Sequence, residues 1–279
     1  MTRSTAYAGQ PGVHAAPPVE DGLTASLRTR RRNIGALLLR EQRTRFGRSR
    51  IGYVWAVVEP LAHIAVMSLV YWAVNRQAPV GASVIMFFAT GVLPFFLFHK
   101  TALHLGAAVR GSQKVLRMPF VAPMDMVVAR AILEAVTWVA VVCILFTALL
   151  ALGLADMPDA PEVLLLAALV TLGLGFGVGL INATAMTLWT SWVRVYTTLT
   201  RPLYIFSAIF FSIDQVPSTL QYWLSWNPVM HAVQWFRTGF RADYETSVLD
   251  ETYLLAWVIG TILVGLCMMR IARPRLAYA

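Results

Sequence analysis

An arginine-dense segment passes directly into a long apolar segment near the start of the chain. Nine arginines occur between Arg28 and Arg50, and the residues that follow at 53–75 are mainly apolar. A helix that crosses a bilayer needs roughly 20 such residues. Moving so many cations across a membrane is costly, which keeps the arginine-rich end on the cytoplasmic side. The sequence therefore predicts a first membrane span at 53–75 whose N-terminal flank is cytoplasmic.

This pattern divides the chain into three predicted regions. Residues 1–27 are rich in alanine, glycine, proline, serine and threonine, which is typical of a disordered cytoplasmic tail. In residues 28–52, Ile34 and Leu38 follow Leu27 at helical spacing, and arginines occupy much of the remaining surface. A helix of this kind lies in the headgroup region with its apolar face down. Residues 53–279 form the predicted membrane domain.

The composition agrees with a membrane protein. Hydrophobic residues make up 58% of the 279 residues and charged residues only 13%, whereas a soluble domain has about 25% charged residues. The net charge of +9 comes from cations beside apolar spans, so membrane orientation and anionic headgroups explain it better than nucleic acid does. Cys143 and Cys267 both fall inside predicted spans, and no disulfide framework or metal cluster can be built from them.

The hydropathy pattern predicts six spans, which places both termini on the same side. Lysines and arginines concentrate in the predicted cytoplasmic loops, whereas the predicted outer loops hold only Arg76, Arg237 and Arg241. This asymmetry predicts that both termini are cytoplasmic. The six predicted spans are 53–75, 83–105, 127–154, 163–189, 195–213 and 253–271.

The region between the last two spans, 214–252, is too polar for a span and too apolar for a solvated loop. A short helix can begin at Val216-Pro217, and Asn227-Pro228 interrupts the apolar pattern. This predicts a re-entrant hairpin that dips into the outer leaflet. The alternative is an interfacial loop with Tyr222 and several tryptophans as an aromatic belt. The residues assigned to the predicted hairpin are Trp223, Trp226, Asn227, Pro228, His231, Trp235 and Arg237.

Ionisable residues inside the predicted spans favour either a polar pathway or buried pairs. Glu59 and His63 share one helical face in the first span, and Pro60 between them could instead mark a kink. Arg130 and Glu134 have the same spacing near the cytoplasmic end of the third span, where a structural pair is the simpler interpretation. The cytoplasmic segment 106–125 is either a docking surface for a soluble partner or a solvated connector.

Four stretches together resemble a known family. They are LLLREQRTRFGRSRIGYVWAVVEP, VLRMPFVAPMDMVVARAILE, RPLYIFSAIFFSIDQVP and LSWNPVMHAVQWFRTGF, and they cover about Leu37 to Arg241. In this order they are similar to the membrane subunit of ABC-2-type exporters, specifically the capsular polysaccharide permeases of Gram-negative bacteria. One departure is Gln234, where the family's WNPxxHxxEWxR-like stretch has an acidic residue.

The resemblance implies an all-α ABC-2 fold in the bacterial inner membrane, with the six spans, interface helix and re-entrant hairpin given above. The chain would be a non-enzymatic half-transporter that forms a homodimer and binds two copies of a separate ATPase, which carries the ATP and Mg. The absence of a GxxxxGK[ST] loop agrees with this division of roles. The predicted ATPase contacts are Arg110, Lys114 and Arg117. The predicted membrane-interface arginines are Arg31, Arg32, Arg40, Arg43 and Arg45.

The implied substrate is a long glycan, often anionic, on a lipid anchor. It would be passed to periplasmic and outer-membrane export proteins through a path between the first and fifth spans, capped by the hairpin. Flat aromatic faces and few strong sites suit such a path, because tight binding would stall movement. An aromatic belt at either interface is the competing explanation for several of these rings. The predicted lining residues are Tyr53, Trp55, Glu59, His63, Tyr71, Tyr204, Phe210 and Phe211.

Other classes remain as alternatives. An ABC-2 exporter of O-antigen, teichoic acid, a lipid or a drug would differ only in its substrate. A secondary transporter would need no ATPase, and the sequence has no inverted repeat to favour one. A membrane-bound glycosyltransferase would need a sizeable cytoplasmic domain with a nucleotide-sugar site, which the predicted topology does not contain.

Overall fold

The computed structural model is all-helical in the part of the chain that it describes, namely residues 23–46, 51–75, 83–116, 121–241, 244 and 246–278. Two short 3-10 helices, Arg110–Ser112 and Ile213–Gln215, accompany the α-helices. In chain order the α-helices are α1 Leu23–Phe46, α2 Ile51–Ala73, α3 Val84–Gly106, α4 Gln113–Leu116, α5 Pro123–Ala151, α6 Pro161–Leu188, α7 Trp192–Phe206, α8 Ser218–Leu224, α9 Pro228–Phe240 and α10 Glu251–Tyr278.

Five of these helices, α2, α3, α5, α6 and α10, are long and apolar enough to cross a membrane. They coincide within a few residues with five of the six predicted spans. The predicted fifth span at 195–213 differs, because α7 has only 15 residues and ends at Phe206. At about 1.5 Å per residue, such a helix is shorter than the apolar core of a bilayer.

The backbone conformation at Ala208 ends α7. Ala208, which is fully buried, has a φ of 56°, in the left-handed region that stops an α-helix of L-residues. The hydroxyl of Ser207 donates to the carbonyl oxygen of Leu203 at 2.6 Å. This hydrogen bond satisfies one of the free carbonyl groups in the last turn of α7. The chain then turns into the segment 207–217, which leads to α8.

Local signals in the sequence fix several helix starts. Ser83 caps α3, since its Oγ accepts a hydrogen bond from the backbone N–H of Met86 at 3.3 Å. Pro123 and Pro161 occupy the first turns of α5 and α6, where their missing N–H costs nothing. Asp125 in α5 reaches back and accepts from the backbone N–H of Ala122 at 3.0 Å.

Helix α1 starts earlier than predicted and uses its apolar residues for packing within the protein. It begins at Leu23, inside the region predicted to be a disordered tail, whereas residues 1–22 lie outside the described part. Leu37 is buried, and together with Ile34 and Leu38 it packs against apolar residues of α5 and of the segment that follows α3. The apolar stripe of α1 therefore packs on the protein itself.

Helices α3 and α6 form the centre of the molecule. Helix α3 is the most buried of the five candidate spans and packs on α2, α5, α6 and α9. Helix α6 packs on α3, α9 and α10. By contrast, α2 is the least buried of the candidate spans, and α7 contacts few other helices. The two helices predicted to enclose the path are therefore the peripheral ones.

Glycines let α6 approach its neighbours closely. A methyl group added at Gly177 would lie 2.9 Å from the backbone nitrogen of Ile262 on α10. A Cβ atom almost never comes this close to an atom of another residue. Gly179 faces Leu105 of α3 in the same way. Gly177 therefore sets the distance between α6 and α10, and Gly179 the distance between α6 and α3.

Replacing Gly177 with alanine should force α6 away from α10. We expect Gly177→Ala to cost about 1–3 kcal/mol, as overpacking of a close-packed core does. The matched control is Gly260→Ala on α10, where nothing lies within 4 Å of the added methyl group. Thermal unfolding of the two purified variants should show a lower midpoint for the first only. Equal midpoints would mean that the α6–α10 contact is looser than described.

Candidate functional site

An ion pair joins the first span to the next one. Lys100 Nζ on α3 lies 2.6 Å from Glu59 Oε1 on α2. The two side chains are 22% and 30% exposed, so the pair is open on one side. The sequence left open whether Glu59 marks a path or a buried pair, and the structure supplies the partner. Lys100 could have been found from the sequence, because it is an ionisable residue inside an apolar segment.

His63 lies one turn further along α2 and faces the same way. Its Nδ1 is 2.9 Å from the carbonyl oxygen of Glu59, and since a carbonyl only accepts, Nδ1 is the donor. The imidazole meets the ring of Phe96 edge-on at 4.9 Å and that of Tyr204 at 6.2 Å. Lys100 Nζ also lies 5.6 Å from the centre of the Phe96 ring. Charged and aromatic groups of three helices therefore form one continuous surface.

Tyr204 of α7 stands at the centre of this surface. Its ring contacts Phe95 of α3 edge-on at 4.8 Å and Phe210 at 5.2 Å. Nearer the outer end, the hydroxyl of Tyr71 on α2 donates to the carbonyl oxygen of Phe210. The predicted residues Glu59, His63, Tyr71, Tyr204 and Phe210 are thus brought together. We call this surface, with Lys100 and Phe96, the α2–α3–α7 wall.

Two polar atoms of the wall lack a hydrogen-bond partner among the described residues. One is the hydroxyl oxygen of Tyr204, and the other is Nδ1 of His99. The His99 ring is stacked between Phe95 at 5.8 Å and Tyr196 at 5.9 Å. Buried polar groups normally find partners, so these atoms offer hydrogen bonds that the chain itself does not use. His99 was not among the predicted lining residues.

Three predicted lining residues lie elsewhere or cannot be assigned. Trp55 is 61% exposed and lies one turn before Glu59 on α2. Phe211 turns away from Phe210 and packs near Ala208, Ile213 and Met230, beside the predicted hairpin. The Tyr53 side chain lies outside the described part of the chain. The sequence could not supply these orientations, because only packing against neighbours decides which side of a helix is covered.

A second polar network links α1 to the membrane helices near their cytoplasmic ends. Arg130 Nη2 on α5 donates to Glu41 Oε1 on α1, and His104 Nδ1 on α3 lies 2.9 Å from Glu134 Oε1 on α5. Arg130 and Glu134, predicted to pair with each other, thus contact Glu41 of α1 and His104 of α3, and Arg130 Nη1 also donates to the His104 carbonyl at 3.0 Å. Glu41 and Glu134 are buried, which makes this network costly to break on one side.

The predicted ATPase contacts follow α3. Arg110 is exposed in the 3-10 helix, whereas the Lys114 side chain and all of Arg117 lie outside the described part. Among the predicted membrane-interface arginines, Arg40 Nη1 donates to the Ser112 hydroxyl at 3.3 Å. Arg31, Arg32 and Arg43 are exposed, and the Arg45 side chain is not described. Helix α1 is therefore bonded directly to the segment predicted to meet the ATPase.

The region predicted to be a hairpin contains two short helices, α8 and α9, separated at Asn227. The Asn227 side chain caps α9, since its Oδ1 accepts from the backbone N–H of Val229 at 2.9 Å. Its Nδ2 donates to the Phe206 carbonyl and to the Ser207 hydroxyl, both at 3.1 Å. One amide therefore caps the start of α9 and the end of α7 together.

His231 ties the same region to α10. Its Nδ1 is 3.1 Å from the backbone N–H of Asp250, and its Nε2 is 2.7 Å from the Ser225 carbonyl oxygen. The first contact needs an acceptor and the second a donor, so the ring is neutral with its proton on Nε2. The hydroxyl of Tyr253 donates to the Trp226 carbonyl at 2.8 Å. Trp223 and Trp226 are exposed, whereas Trp235 is buried.

Arg237 is a buried cation on α9, although the sequence analysis counted it as an outer-loop charge. Its guanidinium lies 4.2 Å from the centre of the Phe87 ring, and Nη2 donates to the Ile209 carbonyl at 3.3 Å. Nε and Nη1 have no hydrogen-bond partner among the described residues. Gln234, one turn away, accepts from the Tyr244 hydroxyl at 2.6 Å, but its Nε2 is likewise unpartnered. The departure at Gln234 therefore lies beside an incompletely satisfied arginine.

These features define a polytopic helical membrane protein with a polar and aromatic surface between its spans. The sequence family described as ABC-2 type transporter matches residues 32–240, and the chain belongs to that family. It is 31% identical to the polysialic acid transport protein KpsM of Escherichia coli, over 85% of this chain and 92% of KpsM. It is also 31% identical to the capsule polysaccharide export inner-membrane protein CtrC of Neisseria meningitidis, over 88% of this chain and 92% of CtrC.

A third group of relatives carries the same description. The capsule polysaccharide export inner-membrane protein BexB of Haemophilus influenzae is 27% identical over 88% of this chain and 92% of BexB. The matched family region includes the whole α2–α3–α7 wall and all of α8 and α9. The features described above therefore belong to the part of the chain shared with the family.

Restoring an acid at position 234 should stabilise the protein. We expect Gln234→Glu to raise the unfolding midpoint by about 2–4 °C, because a carboxylate one turn from Arg237 would pair with the guanidinium and still accept from Tyr244. Gln234→Met, of similar size, should lower the midpoint, because it leaves both groups without this partner. A fall of similar size in the two variants would mean that the charge of Arg237 is already balanced.

Proposed function

We propose that this protein is the membrane-spanning permease subunit of an ATP-driven exporter of capsular polysaccharide in the bacterial inner membrane. The observation that carries the proposal is the match along 92% of the length of relatives named for capsule polysaccharide export at the inner membrane. The α2–α3–α7 wall supports it chemically. Aromatic faces offer sugar rings a surface to slide on, and the partly exposed Glu59–Lys100 pair offers polar contacts.

We infer the membrane arrangement from the charge and hydropathy pattern of the sequence. The chain has six spans, of which α7 and the segment to Ile213 form the fifth, and both termini are cytoplasmic. Helix α1 lies at the cytoplasmic surface with its arginines towards the headgroups. Helices α8 and α9 form a re-entrant hairpin on the outer side. The Asn227 and His231 hydrogen bonds support this hairpin, because a helix break at membrane depth needs its backbone groups satisfied by protein.

The working assembly is a homodimer with two ATPase subunits, which bind the ATP and Mg. The open apolar faces of α2 and α7 support a second copy, since Val66, Leu69, Leu199 and Ile205 are each more than half exposed. Arg110, Lys114 and Arg117 face the ATPase. The lipid-linked polysaccharide leaves through the path to periplasmic and outer-membrane export proteins.

The Glu59–Lys100 pair has a defined role in this proposal. A lone charge in a span costs roughly 2.5–3.5 kcal/mol on insertion scales, and a partly exposed pair keeps both charges neutralised beside an aqueous path. Neutralised charges orient water and hydroxyl groups without forming a strong site for a passing glycan. The wall would therefore guide a polymer without retaining it.

The pair can be tested by export in a host that lacks its own permease and supplies the cognate ATPase. We expect Glu59→Ala and Lys100→Met each to lower surface polysaccharide at least about fivefold, a change of about 1 kcal/mol, with unchanged protein in the membrane. The exchange Glu59→Lys with Lys100→Glu should restore part of the export, and Ile259→Ala, at a 59% exposed position of α10, should have no effect. Full export by both single variants would contradict a path along this wall.

The ATPase contact can be tested by co-purification. We expect Arg110→Glu to reduce recovery of the ATPase about fivefold, because reversing an exposed interface charge removes attraction worth about 1 kcal/mol. Arg273→Glu on the exposed surface of α10 is the matched control and should leave recovery unchanged. Equal recovery with both variants would place the ATPase contact elsewhere.

A further inference from the structure

Helix α8 separates two concave surfaces of opposite chemistry. One is a polar cavity of about 750 Å³ between α8 and the start of α10. The other is an apolar groove of about 860 Å³ between α8, the end of α7 and α10. Trp226, at the C-terminal end of α8, lines both. A polar and an apolar site that share a residue are suited to the two halves of one amphiphile.

The polar cavity combines aromatic rings with hydroxyl, amide and carboxylate groups. Tyr222 and Trp226 are 59% and 60% exposed, so their faces are available to a ligand. Gln221, Asp250 and Glu251 line the same cavity. Flat apolar rings beside acceptors are the groups that bind hydroxylated rings such as sugars. The described lining contains two carboxylates and no lysine or arginine, which disfavours a phosphate-bearing head.

The groove on the other side of α8 is almost entirely apolar. Leu220 and Trp223 of α8 face Leu203 and Phe206 of α7 across it, and Trp257 of α10 lines it as well. Phe206 and Trp223 are more than half exposed. An elongated apolar groove of this kind fits an acyl chain, and its continuity with the polar cavity through Trp226 identifies that chain as the tail of the same molecule.

The cavity wall is already held in place. His231 bonds the Ser225 carbonyl and the Asp250 N–H, and Tyr253 donates to the Trp226 carbonyl. These bonds fix the end of α8 against the start of α10, so little ordering is needed when a ligand binds. A simple aromatic belt would explain exposed rings but not their place beside a fixed, carboxylate-bearing cavity.

We propose that α8 carries a glycolipid site, with an uncharged sugar-like head in the polar cavity and an acyl chain in the apolar groove. The inference rests on the proposed function only for the orientation that puts this site in the outer leaflet. There it would hold the lipid-attached end of a substrate after the glycan has crossed. This site is separate from the α2–α3–α7 wall.

The test uses the full chain in nanodiscs of phosphatidylethanolamine and phosphatidylglycerol. The probe is dodecyl maltoside with a photoreactive diazirine on its alkyl chain, and the adducts are mapped by mass spectrometry. We expect saturable labelling at α8 and the end of α7. Unlabelled dodecyl maltoside should compete, whereas dodecylphosphocholine should compete at least about tenfold less well, about 1.4 kcal/mol. Equal competition by the two would overturn the proposal and leave an ordinary lipid-facing surface.

Variants separate the head site from a general effect of aromatic rings. Trp226→Ala should reduce labelling about fivefold, and Trp226→Phe should retain most of it. Trp72→Ala, which removes a 77% exposed ring from α2, is the matched control and should label normally. Equal labelling of Trp226→Ala and Trp72→Ala would also overturn the proposal. Neither result bears on the export assay with Glu59 and Lys100 variants, so the proposed function and this site can fail independently.

Discussion

The side-chain amide of Asn227 is the contact on which the arrangement of α7, α8 and α9 depends. Its two ends satisfy backbone groups of two different helices, the Phe206 carbonyl of α7 and the Val229 N–H of α9. In water either group could bond to solvent, but at membrane depth each would be left unsatisfied at a cost of several kcal/mol. The position of the peripheral helix α7 is thereby tied to α9, which belongs to the buried core.

Charges inside apolar segments impose a similar constraint on α1, α2, α3 and α5. Glu59 pairs with Lys100 and Arg130 pairs with Glu41, so α2 and α1 are bonded to α3 and α5 respectively. Among the described residues, α7 forms no ion pair with α2. It contacts α3 through aromatic rings, and the segment after it is joined to α2 by the Tyr71–Phe210 bond. Ring contacts can slide with little loss of energy, whereas ion pairs with defined partners cannot. The wall therefore combines fixed charges with one adaptable side.

Hydropathy, prolines and arginines predicted the five long helices, and the break at Asn227-Pro228 predicted two short ones. These features depend on neighbours in the chain. The early end of α7 was missed because the left-handed turn at Ala208 leaves no mark in composition. Lys100 as the partner of Glu59 was missed because 41 residues separate them. The lining roles of Trp55 and Phe211 stay predictions, since periodicity groups residues by face but does not say which face is covered.

The two short helices between α7 and α10, α8 and α9, differ greatly in burial, which the sequence did not indicate. Helix α9 is buried along nearly its whole length and packs on α3, α6 and α10. Helix α8 has seven residues, none of them buried, and lies between Pro217 and Asn227 in the chain. A segment that moves must be one whose displacement breaks few packed contacts. If these helices cap an export path, the start of α8 near Pro217 is therefore the part that can yield to a passing chain. Its C-terminal end stays attached to α7 and α10 through the bonds of Asn227, His231 and Tyr253.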